Sequence, residues 1–132
     1  MQNPANLRVT AQALEVARLT YAATASFPDG ERFGLVSQMR RSAVSIGSNI
    51  AEGCGRDTNA SLRTFLHYAL GSVSELQFQL TLARSLEVGD DVSSGKLDEA
   101  LSAMRGMLTK LIGRMRPRPS KNSEPAASPR RP

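Results

Sequence analysis

The chain has 132 residues with a formal net charge of +5 at pH 7, a length that gives room for one domain. Aromatic residues make up 5% and tryptophan is missing, a composition that suits packed helices better than sheets. The single cysteine, Cys54, excludes an intrachain disulfide, and no apolar run reaches the ~18 residues that a membrane span needs. We therefore expect a cytoplasmic protein without a membrane segment.

The positive charge is concentrated at the C-terminal end of the sequence. Residues 114–132 carry six basic side chains against one acidic side chain, a net +5, whereas residues 1–113 carry eleven of each. Residues 116–132 also hold five of the seven prolines and have no apolar periodicity. Such a segment cannot bury enough surface to offset its ordering entropy. We predict a folded domain over 1–115 and a disordered basic tail over 116–132.

Four segments have helical periodicity, at about residues 7–26, 32–52, 58–86 and 95–114. In the first, Leu7, Leu14 and Tyr21 recur at seven-residue spacing. The second is predicted to stop at Gly53 and Gly55, since glycine commonly ends a helix.

In the other three segments, apolar residues step by three and four, the pattern of a buried stripe. The stripes are Val36, Met39, Ala43, Ile46 and Ile50; Leu62, Leu66, Ala69, Val73, Leu76, Leu80 and Ala83; and Leu97, Leu101, Met104, Leu108, Leu111 and Met115. Long helices joined by short turns favour an all-α, antiparallel up-down-up-down four-helix bundle, with neighbouring helices packed at roughly 20°.

The outer faces of the helices differ in polarity. The residues opposite the stripe of the second helix are polar: Arg41, Ser45, Ser48 and Glu52, with Arg40 at the edge of the stripe. The residues opposite the stripe of the third helix are mostly apolar: Tyr68, Glu75, Phe78, Leu82 and Leu86. An apolar outer face predicts a second buried surface, and therefore self-association. The alternative is that the third helix covers this face with its neighbours inside one bundle. If Glu75 is buried, it needs a donor such as Arg40 or Arg41.

No group of residues is typical of a catalytic or metal site. His67 is the only histidine, and Cys54 has no histidine close to it in the sequence. The segment EGCGR could bind an anion at a helix start, but the lysine of a phosphate-binding loop does not follow it, and a helix stop is the simpler interpretation. We predict no enzyme activity, no metal and no cofactor.

The segments ERFGLVSQMRRSAVSIGSNIAEGCGR and FLHYALGSVSELQFQLTLA carry a family resemblance. Together with their flanks, about residues 7–115, they closely resemble bacterial four-helix-bundle proteins encoded in intervening sequences of large-subunit ribosomal RNA genes. That family is similar to the accessory proteins of diversity-generating retroelements, which are pentamers that bind nucleic acid and a reverse transcriptase. The resemblance implies a four-helix bundle assembled into a cyclic homo-oligomer, a pentamer. The chain departs from the family at Gly47, often proline, and at Cys54, often aromatic.

Two functional hypotheses remain open. The first is a non-enzymatic oligomer that binds RNA or DNA weakly and without sequence specificity, and the second is an oligomeric scaffold for a protein partner such as a reverse transcriptase. The first would use basic residues of the domain and of the tail: Arg40, Arg41, Arg56, Arg63, Arg116, Arg118, Lys121, Arg130 and Arg131. In either case the predicted oligomer interface is Tyr68, Glu75, Phe78, Leu82 and Leu86.

Overall fold

The structure, a computed structural model, describes residues 3–115 and contains four α-helices and no strand within that range. They are α1 (Pro4–Thr24), α2 (Ser37–Cys54), α3 (Asn59–Ser85) and α4 (Asp91–Arg114). Each helix packs on its neighbour in sequence, and α1 also packs on α4. The predicted all-α four-helix bundle is confirmed. The predicted tail lies outside the described residues, so the division at residue 115 stays a prediction.

Side-chain caps determine where three of the helices begin. The Asn3 side chain accepts a hydrogen bond from the Ala5 N–H at 2.8 Å, Thr58 accepts from Ser61 at 3.1 Å, and Asp90 accepts from Ser93 at 2.8 Å. Such caps satisfy backbone N–H groups that have no partner in the first turn. The predicted starts at residues 7 and 95 were therefore three and four residues late, because α1 begins at Pro4 and α4 at Asp91.

The connection between α1 and α2 is mostly helical. A 3₁₀ turn, Asp29–Glu31, leads into one π-helical turn, Arg32–Val36, which continues directly into α2. The side chain of Phe33 in this turn is 87% exposed, whereas Leu35 enters the core. The π turn therefore places an exposed aromatic ring on the surface beside the start of α2, with the guanidinium carbon of Arg32 5.4 Å from the ring centre.

We predicted that α2 stops at Gly53 and Gly55, but Gly53 is a packing residue inside the helix. The helix continues to Cys54, and Gly55 is the capping residue. Gly53 is buried, and a Cβ atom there would lie 2.8 Å from the Cβ of Phe65 and 3.0 Å from Cδ1 of Leu62. A glycine is needed at this position because the backbone of α2 approaches the side chains of α3 too closely for any larger residue.

The core consists of the predicted stripes of α2, α3 and α4, with Val36, Leu62 and Met115 at its margin. The face of α1 that we identified from Leu7, Leu14 and Tyr21 is the outer one, since these side chains are 54%, 62% and 46% exposed. The buried face of α1 is Val9, Ala13, Val16, Thr20, Ala23 and Thr24.

Threonines made the buried face of α1 hard to recognise from sequence. The hydroxyl groups of Thr20 and Thr24 donate to the carbonyls of Val16 and Thr20, both at 2.7 Å. A hydroxyl with such a partner no longer carries the full cost of burial without a hydrogen bond. In the described part of the chain, no helix is both long and apolar enough to cross a membrane.

Candidate nucleic-acid interface

The four arginines of the domain that we predicted to bind nucleic acid lie in two groups. Arg40 and Arg41 are in the first half of α2, whereas Arg56 follows α2 and Arg63 is in the second turn of α3. The sixteen residues from Arg40 to Arg56 span roughly 24 Å at the helical rise of about 1.5 Å per residue. The two pairs therefore lie towards opposite ends of the bundle and cannot contact one phosphate group together.

Arg40 connects α2 to α1. Its Nε donates to Oγ1 of Thr24 at 2.9 Å, and its guanidinium stacks 4.3 Å from the centre of the Tyr21 ring. These contacts occupy much of the guanidinium, so Arg40 is not the partner of Glu75 that the sequence suggested. Arg41 is exposed and forms no ion pair with a described residue.

Arg56 and Arg63 differ in how much of their guanidinium is available. Nη2 of Arg56 pairs with Oε2 of Glu52 at 2.8 Å, and the guanidinium lies 4.8 Å from the centre of the Phe65 ring, which leaves its outer edge exposed. The side chain of Arg63 is half-buried, and its Nε has no hydrogen-bond partner among the described residues.

Arg56 and Arg63 belong to a larger basic surface, which we call the basic end. It lies where α1 and α3 begin and α2 and α4 end, because the helices are antiparallel. Its basic side chains are Arg8, Arg56, Arg63, Lys110 and Arg114, against the acidic Glu52 and Asp57. Arg8, Lys110 and Arg114 line one surface depression of about 350 Å³. Residues 116–132, with five further basic side chains, follow α4 directly at this end.

The opposite end of the bundle has the acidic residues Asp29, Glu31, Glu87, Asp90 and Asp91 and the basic residues Arg32 and Arg84. Residues 1–113 are neutral overall, but acidic side chains outnumber basic ones at this end and basic side chains outnumber acidic ones at the other. We did not predict that Arg8, Lys110 and Arg114 share one surface, because they are distant in sequence. The predicted antiparallel topology would have allowed this inference, since the start of α1 lies beside the end of α4 in such a bundle.

A polar cleft lies between α2 and α3 near the π turn, and we call it the α2–α3 cleft. Its volume is about 310 Å³, and it is lined by Phe33, Ser37, Gln38, Arg41, Ser42, Ser45, Glu75 and Gln79. Ser45 of the cleft shares a hydrogen bond of 2.9 Å with the buried Ser72, and Ser42 donates to Oε1 of Glu75 at 3.5 Å, a long contact. From the sequence we assigned Arg41, Ser45 and Glu75 to the outer faces of the second and third helices, but we did not predict that they line one cleft.

The predicted interface residues of α3 form what we call the apolar outer face. Within one chain Tyr68, Phe78 and Leu86 are more than half exposed, and Leu82 is 37% exposed. Glu75 is exposed among them. The alternative that neighbouring helices of the same bundle cover this face is therefore wrong. By contrast, the outer face of α4 carries small or polar exposed residues: Ser102, Gly106, Thr109 and Gly113.

The residues with nucleophilic or metal-binding chemistry are not grouped. Cys54 is half-buried, and burial raises the pKa of its thiol, which disfavours the reactive thiolate. His67 is exposed on α3. Within residues 3–115 there is no set of three histidine, cysteine or carboxylate side chains placed to hold a metal ion.

The family of this chain follows from its similarity to known proteins. The family model described as 23S rRNA-intervening sequence protein matches residues 5–110. The chain belongs to this family. Its similarity to the accessory proteins of diversity-generating retroelements stays a prediction, and comparison with curated proteins gives no match.

A solved structure supports the fold. This chain is similar to the crystal structure of a protein of unknown function from the S23 ribosomal protein family of Bacteroides thetaiotaomicron. The TM-score is 0.74 at 23% sequence identity, over 83% of this chain and 98% of the other. At this identity the likeness establishes a shared fold and no more.

Proposed function

We propose that the protein is a non-enzymatic, cyclic homo-oligomer that binds single-stranded or double-stranded nucleic acid weakly, mainly through its phosphates. The observation that carries this proposal is the basic end, where Arg8, Lys110 and Arg114 line one depression and Arg56 and Arg63 lie at the same end of the bundle. The basic segment 116–132 follows α4 in the sequence and adds Arg116, Arg118, Lys121, Arg130 and Arg131.

The chemistry of these side chains explains why binding would be weak and tolerant of sequence. Lysine and arginine bind phosphate oxygens, which are the same at every nucleotide. Each neutralised phosphate releases counterions, so affinity falls steeply as salt rises. Arg41 adds an exposed guanidinium on α2, whereas Arg40 contributes little because Tyr21 and Thr24 hold it.

Self-association would convert weak contacts into useful affinity. Tyr68, Phe78, Leu82 and Leu86 of the apolar outer face are exposed to water in the single chain. A second copy packed on this face would remove that apolar surface from water. Several basic ends on one ring would raise the effective concentration of each for a bound strand. The number of subunits, five, rests on the family resemblance alone.

The test compares the full chain with a chain that ends after Met115, on the same RNA and DNA strands at low and at physiological salt. We expect the full chain to bind both strands at low salt, with a steep loss at higher salt, and the shortened chain to bind more weakly. Equal binding by the two chains would exclude residues 116–132 as the contact. Failure of both to bind at low salt would contradict the proposal.

The contribution of the folded domain is tested by paired variants. Arg8→Gln with Lys110→Gln removes two positive charges from the basic end, and Arg18→Gln with Lys96→Gln removes two from the opposite half of the bundle. We expect the first pair to weaken binding and to flatten its salt dependence, and the second pair to have little effect. Equal effects would show that net charge, and not the basic end, governs binding.

The scaffold hypothesis is the second candidate, and the exposed apolar outer face favours it. A face that anchors a second copy or a protein partner has the same composition, since aromatic residues dominate both kinds of interface. If the full chain assembles but binds no nucleic acid at low salt, the scaffold function replaces the first proposal.

A further inference from the structure

A second apolar surface lies along α1 and the neighbouring part of α2. Leu7, Leu14 and Tyr21 recur every seven residues, which returns to nearly the same side of a helix, and all three are exposed. Val44 of α2 is also exposed, and it lines one open depression of about 650 Å³ together with Tyr21. We call Leu7, Leu14, Tyr21 and Val44 the α1–α2 face. Like the apolar outer face of α3, it is not covered within the single chain.

The two apolar faces lie on different sides of the bundle. Both α1 and α3 pack on α2 and α4, so α1 and α3 stand at opposite corners. A contact that uses the same face on both copies would leave the other face of each copy in water. A head-to-tail contact, in which one face of each copy meets the other face of the next copy, covers both.

The charges of the two faces are complementary. Arg40 and Arg41 line the α1–α2 depression, and no acidic residue of the described chain lines it. The α3 face carries the carboxylate of Glu75, which forms no ion pair with a described residue. A carboxylate at an apolar contact needs a cationic partner when water leaves. A head-to-tail contact supplies that partner, whereas a contact between two α3 faces brings two carboxylates into the same region.

These charges also lie at the same height along the bundle. Ser42 of α2 donates to Oε1 of Glu75, so Glu75 lies beside Ser42 and therefore close to the height of Arg41, one residue earlier. A rotation about an axis parallel to the helices leaves every residue at its own height. In a ring built in this way, Glu75 of one copy meets the level of Arg41 of the next copy.

We propose that the copies assemble head to tail, with the apolar outer face of α3 packed against the α1–α2 face of the next copy. This inference rests on the proposed self-association and names the two surfaces that perform it. Residues 116–132 contain no large apolar side chain, so a second copy suits the α1–α2 face better than this segment does. In such a ring Arg41 lies near a carboxylate, and the phosphate contacts fall mainly to the basic end.

The experiment mixes two variants that each have one altered face. Leu14→Asp places a carboxylate on the α1–α2 face, and Phe78→Asp places one on the α3 face. By light scattering we expect each variant alone to have the 14.2 kDa mass of one chain, because every head-to-tail contact needs both faces. In an equimolar mixture, the intact α3 face of the first variant can meet the intact α1–α2 face of the second. The altered faces prevent further growth, so the mass should double and native mass spectrometry should find one chain of each variant.

Further variants serve as replicates and as a control. Val44→Asp and Leu82→Asp repeat the test with a different residue of each face, and both side chains are exposed in the single chain. Ser102→Asp, on the outer face of α4, should assemble as the unmodified chain does. Circular dichroism should show unchanged helix content in all five variants, since each substitution replaces an exposed residue.

The outcomes separate this inference from the proposed function. Normal assembly of the Leu14→Asp and Val44→Asp chains, or their dimerisation on their own, overturns the head-to-tail contact and leaves self-association intact. A mixture that stays at the mass of one chain shows that the two faces are not partners and also overturns the inference. An unmodified chain that is a monomer at tens of micromolar overturns both.

Discussion

Arg40 and Arg41 are neighbours in sequence, yet their side chains have different surroundings, because a helix turns about 100° between them. The guanidinium of Arg40 lies on the Tyr21 ring of α1, and that of Arg41 lines the α2–α3 cleft. The sequence predicted that one lay at the edge of the stripe and the other outside it. It could not predict the contact with Tyr21, because we had assigned that residue to the wrong face of α1.

The glycines of the helices provide a prediction at the scale of single residues. Gly53→Ala should destabilise the protein by about 1–3 kcal/mol, since its new methyl group would overlap Phe65 and force the packed helices apart. Gly106→Ala should stabilise it by about 0.5–1 kcal/mol, since nothing lies within 4 Å of a Cβ there and alanine favours the helix. Urea unfolding of both variants measures the two effects. Stabilisation by both substitutions would show that α2 and α3 do not pack closely at Gly53.

At the scale of the helices, most of the fold was predictable from periodicity. The stripes of α2, α3 and α4 predicted the core, because long aliphatic side chains recur there without interruption. The start of α4 was missed because the apolar stripe of this segment begins only at Leu97, whereas Asp90 caps the helix and Asp91 begins it. Ser94, which we placed before the helix, is buried within it.

The cap of α4 predicts a dependence of stability on pH. Hydrogen bonds to Asp90, above all from the backbone N–H of Ser93, hold the pKa of this carboxyl below its ordinary value of 3.8. A lowered pKa in the folded state contributes stability that is present above pH 3.8 and is lost as pH falls through the folded-state pKa. Asp90→Asn retains a good cap that does not titrate. Its melting temperature should therefore fall less between pH 5 and pH 2 than that of the unmodified chain.

The control for this measurement is Asp57→Asn, an exposed aspartate that accepts no side-chain hydrogen bond in the described structure. Other carboxyl groups titrate over the same range, so only the difference between each variant and the unmodified chain is informative. If both variants follow the unmodified chain equally, the hydrogen bonds to Asp90 do not contribute to acid sensitivity.

The whole molecule has properties that no single segment of sequence reveals. Charge is balanced along residues 1–113 but differs between the two ends of the bundle, because the bundle brings together the ends of helices that are distant in sequence. The α2–α3 cleft likewise combines a side chain of the π turn with side chains of α2 and α3. Periodicity predicts which face of a helix is buried. It does not predict which exposed residues of different helices become neighbours.

Self-association is the prediction that concerns the exposed surface as a whole. Phe78→Asp or Leu82→Asp should dissociate the oligomer, because a carboxylate in a buried apolar contact loses its hydration. Helix content should remain, since both side chains are exposed in the single chain. Ser102→Asp, on the polar outer face of α4, is the matched control and should assemble normally. Size-exclusion chromatography separates the assemblies, and normal assembly of the Phe78 and Leu82 variants would place the interface elsewhere.

Light scattering of the full chain with and without RNA tests self-association and nucleic-acid binding together. At tens of micromolar protein and low salt, we predict a mass near five times the 14.2 kDa of one chain, which rises when RNA is added and returns to its initial value at high salt. A mass of 14.2 kDa that does not change with RNA would show that the chain neither self-associates nor binds RNA.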